Sequence, residues 1–139
     1  RFARTGLAGE AVVVNDLGLV AYRGRVRPVD AVGLGTIEIA RMRKARQLTP
    51  EALDAIARDK GAVAAMVNDA YIIHVAGAVP RSWIPIAQLG IPSDYVIADR
   101  AVTIYAVDAG WTERLRADLL AFAPTLPART TIVYLPSAS

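Results

Sequence analysis

Two apolar runs in this chain, residues 11–14 and 62–67, each end in an Asn-Asp pair. Runs of four to eight apolar residues that stop at polar residues are typical of buried β-strands. The carboxyl ends of neighbouring parallel strands meet at one edge of a sheet. We therefore expect a compact domain with one rim that carries four polar residues: Asn15, Asp16, Asn68 and Asp69.

The segment between the two runs predicts a pair of helices. Thr36 is a candidate N-cap for a helix over residues 37–46. Thr49 and Pro50 are typical of an N-cap and a first helical position, and Glu51 suits the positive end of the helix dipole. A strand–helix–helix–strand connection joins parallel strands with a right-handed crossover, so the two apolar runs are expected to be parallel.

The remaining segments complete the expected fold. Residues 19–22 and 26–29 form a candidate hairpin with Pro28 at a sheet edge, and residues 95–98 and 102–107 form a second one. We expect a short helix or strand over 70–75, an edge strand or extended segment over 83–89, an amphipathic helix over 110–123 and a last strand over 130–135. The predicted class is α/β: one compact domain over residues 1–139, with a mixed sheet in two or three layers.

Composition narrows the function classes. Apolar residues make up 54% of the 139 residues, and the mean hydropathy of +0.34 indicates a fully buried sheet or a domain that rests against something else. No apolar run reaches 18 residues, so no transmembrane helix is predicted. The absence of cysteine excludes disulfides and thiol chemistry. Basic residues are interleaved with acidic ones and aromatics are few, so no nucleic-acid partner is expected.

Because the chain begins at Arg1 rather than Met, we expect a piece of a longer protein.

Carboxylates at strand ends are the main candidates for chemistry. Asp16, Asp30 and Asp69 follow or end apolar segments and could converge to hold a metal or share acid–base work. The alternative is that these residues cap turns and helices by accepting backbone N–H bonds. His74 is the single histidine and is expected to be a hydrogen-bonded core or boundary residue. No serine lies in a nucleophile elbow, and we predict no catalytic residue, metal or cofactor.

Two further segments allow a structural and a functional interpretation. Four cations over residues 41–46 suit the negative end of a helix or could contact anionic lipid. Trp83 lies between prolines and beside Arg81, which suits either an exposed protein or sugar contact or burial in the core. Gly33-Leu34-Gly35 is interpreted as a structural turn, since the third glycine of a phosphate-binding fingerprint is missing.

A resemblance is carried by Val14-Asn15-Asp16-Leu17-Gly18-Leu19-Val20-Ala21-Tyr22 and by Val29-Asp30-Ala31-Val32-Gly33-Leu34. This pattern resembles the tail domains of bacterial multi-spanning glycosyltransferases, which take sugars from polyprenyl-phosphate donors and are similar to mannosyltransferases. The match covers residues 10 to 35 closely and the later part of the chain only loosely.

The resemblance implies a non-catalytic accessory domain on the extracytoplasmic, periplasmic or cell-surface side of a membrane. Its partners would be the transmembrane portion of the same polypeptide and a glycan or lipid-linked sugar acceptor. Asp16, Tyr22 and Asp30 would then be structural or acceptor-facing rather than catalytic. Two alternatives remain open: a small ligand-binding domain or hydrolase that uses Asp16, Asp30, Asp69 and His74, or an interaction module that uses the Trp83 loop.

Overall fold

The structure is a computed structural model that describes residues 6–15, 25–90 and 101–136. These residues form a six-stranded sheet and four α-helices. The strands are β1 (Ala11–Val14), β2 (Arg27–Asp30), β3 (Ala62–Val67), β4 (Ile84–Gly90), β5 (Ala101–Ala106) and β6 (Thr131–Tyr134). The helices are α1 (Ile37–Lys44), α2 (Pro50–Asp59), α3 (Asp69–Ala76) and α4 (Thr112–Phe122), and a short 3₁₀ turn lies at each end of α4.

The sheet is mixed, with the strand order β2-β1-β3-β5-β4-β6. β1 pairs in parallel with both β2 and β3, which confirms the predicted parallel crossover. The pairings of β3 with β5, β5 with β4 and β4 with β6 are antiparallel. The carboxyl ends of β1, β2 and β3 therefore lie at the same end of the sheet, where the candidate site was predicted.

Helices cover both faces of the sheet, so the domain has three layers. Side chains alternate between the faces of a strand, and in β1 this sends Val13 to one face and Val12 and Val14 to the other. On the Val13 face the core includes residues of α1, α2 and α3; on the opposite face it includes Leu115 and Leu119 of α4. The predicted class, a single compact α/β domain with a C-terminal amphipathic helix, is confirmed.

The structure corrects one prediction about the strands and agrees with another. The strand predicted as an edge over 83–89 is the inner strand β4, because β6 pairs along its outer side. Pro28 does lie in an edge strand of the described sheet, since β2 is terminal in the strand order. The first arms of both predicted hairpins, residues 19–22 and 95–98, lie outside the described residues.

The helix signals are confirmed in part. Thr49 caps α2, with its hydroxyl accepting a hydrogen bond from the backbone N–H of Ala52. Thr36 occupies the N-cap position of α1, but its hydroxyl accepts from the N–H of Asp30 instead of from the helix. The ambiguous segment 70–75 is helical because Asn68 caps it, accepting from the N–H of Tyr71.

Trp83 is a core residue, so of the two placements that the sequence leaves open for it the structure has burial in the core and not an exposed contact. Its side chain is 3% exposed, and its indole N–H donates to the Asp54 carboxylate at 2.8 Å. The ring also lies 5.9 Å from that of Tyr105. Burial of the aromatic ring stabilises the fold through the hydrophobic effect, and the indole N–H keeps a hydrogen-bond partner in Asp54. These two contributions explain why the side chain is buried.

Replacing Trp83 with phenylalanine is expected to lower the free energy of unfolding by about 1–3 kcal/mol. The change removes apolar volume from the core and the hydrogen bond that the indole N–H donates to Asp54. Urea unfolding followed by circular dichroism measures the loss. Trp111 is only half-buried, so Trp111→Phe is the matched control. A Trp83→Phe loss no larger than that of the control would contradict the core assignment.

Candidate functional site

The asparagines that follow β1 and β3 meet at one rim, as the sequence predicts. The side-chain oxygen of Asn15 accepts a hydrogen bond from the backbone N–H of Asn68 at 2.8 Å. Asn68 in turn donates its side-chain N–H to the carbonyl of Ala101 at 3.0 Å. These asparagines therefore tie the ends of β1, β3 and β5 together, and their polar groups are used inside the domain.

Asp69 is also engaged within the domain. Its carboxylate accepts a hydrogen bond from the hydroxyl of Tyr105 at 2.9 Å. Burial, and then the hydrogen bond to Asp69 and its negative charge, raise the pKa of Tyr105 above its ordinary value. The pair joins α3 to β5 across the sheet face, which is a structural use of the carboxylate.

Asp30, at the end of β2, builds the turn that follows it. The side chain is 1% exposed, and its carboxylate accepts backbone N–H bonds from Val32, Leu34 and Gly35 at 2.8, 2.5 and 2.8 Å. Charge-assisted bonds of this kind are about twice as strong as neutral ones. The rim loop, which we define as residues 31–36, is therefore held by the carboxylate at its base.

Two further contacts fix the rim loop against α1. Gly33 has a φ of +89°, and a Cβ at this position would lie 2.9 Å from backbone atoms of Ala40. The guanidinium of Arg43 donates to the carbonyl of Val32. Glycine is therefore required at position 33, because the φ is positive and the backbone of Ala40 leaves no room for a Cβ. This geometry fits the interpretation of Gly33-Leu34-Gly35 as a structural turn.

The rim loop and the start of α1 each present a large apolar side chain to solvent. Leu34 is 83% exposed, and Ile37, at the start of α1, is 64% exposed. Arg41 and Lys44 are exposed one and two turns further along the same face of the helix, at spacings of four and seven residues from Ile37. An apolar end followed by a cationic end makes this face suitable for contact with another surface.

A cavity lies between the C-terminal end of α1 and α3. Its volume is about 480 Å³, and it is lined by Arg43, Arg46, Leu48, His74 and Val75. His74 is exposed, so the prediction of a core or boundary histidine is wrong. The helix that carries it turns Ile72 and Ala76 into the core, which leaves position 74 on the outer side.

The structure does not bring the hydrolase candidates together. Asp30 accepts hydrogen bonds from the rim loop, Asp69 accepts one from Tyr105, and His74 lines the cavity together with two arginines. Asp16 and Tyr22 lie outside the described residues. Among the described residues no cluster of three or more His, Asp or Glu side chains is placed to hold a metal ion. In the described part of the chain, no helix has the length and apolar character needed to cross a bilayer.

Sequence reasoning missed the cavity and the exposed face of α1. Both depend on how α1 and α3 pack, which no local pattern encodes. The available signals were the four cations over residues 41–46 and the leucine between two glycines, but each has a common structural interpretation.

Comparisons with known proteins give one match. No curated protein and no solved structure matches the chain significantly. Residues 1–105 match a protein family described as a domain of unknown function, DUF8728. This match covers β1 to β4 and β5 up to Tyr105, and it includes the rim loop, the cavity and the Asn15–Asn68 contact. The chain therefore belongs to the DUF8728 family of domains of unknown function.

Proposed function

We propose that this chain is a non-catalytic accessory domain of a membrane-bound, glycosyltransferase-like protein, and that the rim loop and the adjoining face of α1 dock on the membrane part of that protein. The domain lies on the extracytoplasmic side. A glycan or lipid-linked sugar acceptor would bind to the assembled protein and not to this domain alone.

The observation that carries the proposal is the role of Asp30. Its buried carboxylate is occupied by three backbone N–H groups, whereas a catalytic carboxylate must reach a substrate proton or a reacting atom. The bonds that occupy Asp30 hold Leu34 outward. The segment that carries the resemblance to transferase tails therefore supports a fixed surface for contact.

The exposed face of α1 gives further support. Leu34 and Ile37 expose two large aliphatic side chains within four residues of the chain, and exposed apolar patches are typical of contact surfaces. Arg41 and Lys44 on the same face suit a position close to lipid head groups, each contributing about 1 kcal/mol near an anionic surface. The mean hydropathy of +0.34 is consistent with a domain that buries surface against another body.

A cysteine-labelling experiment tests the location. The chain has no cysteine, so Ser82→Cys in the exposed loop before β4 introduces a single thiol within this domain. In cells with a sealed cytoplasmic membrane, a membrane-impermeant maleimide is expected to label Ser82→Cys without lysis. Ala65→Cys, at a fully buried position, is the control that should stay unlabelled.

Labelling of Ser82→Cys only after lysis would place the domain on the cytoplasmic side and contradict the proposal. Recovery of the full-length gene product in the soluble fraction would contradict it equally, because the proposed partner is a membrane-inserted part of the same polypeptide. Labelling in sealed cells together with membrane recovery is the expected result.

A further inference from the structure

The cavity between α1 and α3 has an unusual lining. Its polar side chains are Arg43, Arg46 and His74, and no carboxylate lines it. The ion pairs among the described residues are made by Arg58, Lys60 and Arg114. The two arginines of the cavity therefore have no acidic partner in the described part of the chain. Two arginines that line one cavity without a carboxylate beside them favour an anionic ligand.

Arg43 is fixed in position before any ligand arrives. One guanidinium nitrogen donates to the carbonyl of Val32, and the planar fork still has further N–H groups to offer. Because the side chain is already ordered, less conformational entropy is lost when an anion binds.

Arg46 occupies a position where glycine is the usual residue. Its φ is +55°, the left-handed conformation that ends α1. The N–H of Arg46 donates to the carbonyl of Arg43, and the N–H of Gln47 donates to the carbonyl of Met42. This is the Schellman arrangement, which strongly favours glycine at the left-handed residue. Arg25 and Arg129 also have a positive φ, so the conformation alone does not single out Arg46. What distinguishes Arg46 is that its side chain lines the cavity, where it gives the strained position a use.

Two of the residues that line the cavity are apolar. Leu48 is buried and Val75 is half-buried, so these side chains offer a surface to a ring or a hydrocarbon portion of a ligand. We propose that this cavity binds a phosphate ester, with its phosphate group between Arg43, Arg46 and His74 and its apolar portion against Leu48 and Val75. The proposal goes beyond the proposed function, since it holds whichever protein the domain serves.

The single histidine provides the measurement. Its imidazole proton signals in an NMR spectrum need no assignment, because the chain has no other histidine. Phenyl phosphate is titrated at constant pH, with sodium chloride holding the ionic strength near 0.15 M so that remote charges are screened. The His74 signals are expected to shift along a saturable curve, and inorganic phosphate is expected to need about a tenfold higher concentration.

A pair of variants separates a site from general attraction. Arg46→Gly is expected to weaken phenyl phosphate binding at least tenfold while its Tm is as high as that of the parent chain or higher. Arg81→Gln removes the same charge from an exposed position that does not line the cavity, so its binding curve should stay within about twofold of the parent. A linear, non-saturating shift of His74, or equal weakening by both variants, would overturn the proposal.

A vesicle titration identifies the source of the phosphate. Phosphatidylglycerol vesicles that broaden the His74 signals in the parent chain but not in Arg46→Gly would assign the site to a lipid phosphate. Saturable binding of phenyl phosphate without such broadening would assign it to a soluble ester. Absence of both responses would overturn the proposal, and the location of the domain would be unaffected by that result.

Discussion

Replacing Asp30 with alanine is expected to lower the free energy of unfolding by about 2–4 kcal/mol. The change removes a buried carboxylate and leaves the N–H groups of Val32, Leu34 and Gly35 without their acceptor. Water can reach part of the exposed loop, which keeps the loss below the sum of three charge-assisted bonds. Urea unfolding followed by circular dichroism measures it.

Two companion variants make the Asp30 result specific. Asp30→Asn keeps the shape of the side chain but turns an amide N–H group toward backbone donors, so most of the loss should persist. Asp59→Ala removes an exposed carboxylate at the end of α2 and is expected to change stability by less than about 0.5 kcal/mol. An Asp30→Ala protein as stable as Asp59→Ala would show that the carboxylate does not build the rim loop.

Replacing Gly33 with alanine is expected to lower the free energy of unfolding by about 2–4 kcal/mol. The alanine must keep a φ of +89°, and its Cβ would meet the backbone of Ala40 at 2.9 Å. The backbone of a packed helix cannot move aside without disturbing the core beneath it. Thermal unfolding should show a Tm lower by roughly 6–16 °C for a domain of this size.

Gly77 provides the matched control for this substitution. Its φ of +90° is nearly the same, but an added Cβ would meet nothing within 4 Å. Gly77→Ala is therefore expected to cost only the conformational term, about 1 kcal/mol. Equal losses for the two variants would mean that the close approach of the rim loop to α1 contributes nothing.

The strands and their pairing could be predicted because the information is local. β3 has the bounds that its apolar run indicates, and Thr49-Pro50-Glu51 marks the start of α2 by its own chemistry. The sequence also predicts that the two Asn-Asp ends share a rim, which the Asn15–Asn68 bond confirms. These features follow from periodicity, capping and crossover rules that need no knowledge of distant contacts.

The site could be predicted only in outline because its geometry depends on packing between elements. The position of Asp30 identified it as a candidate, but only the fold shows that its oxygens face the backbone of the rim loop. The exposure of His74 depends on which side of α3 meets the sheet, and the burial of Trp83 depends on Asp54, 29 residues away. Short apolar or proline-rich segments do not encode such choices.

The proposed docking of the rim loop on the membrane part of the same protein can be measured as protection of a thiol at position 34. Leu34 is 83% exposed in the domain, so Leu34→Cys should react with a maleimide in the isolated domain as fast as Ser82→Cys. In the full-length, membrane-inserted protein, we predict that Leu34→Cys reacts at least tenfold more slowly while Ser82→Cys is unchanged. Equal reactivity of Leu34→Cys in the isolated domain and in the full-length protein would contradict the claim.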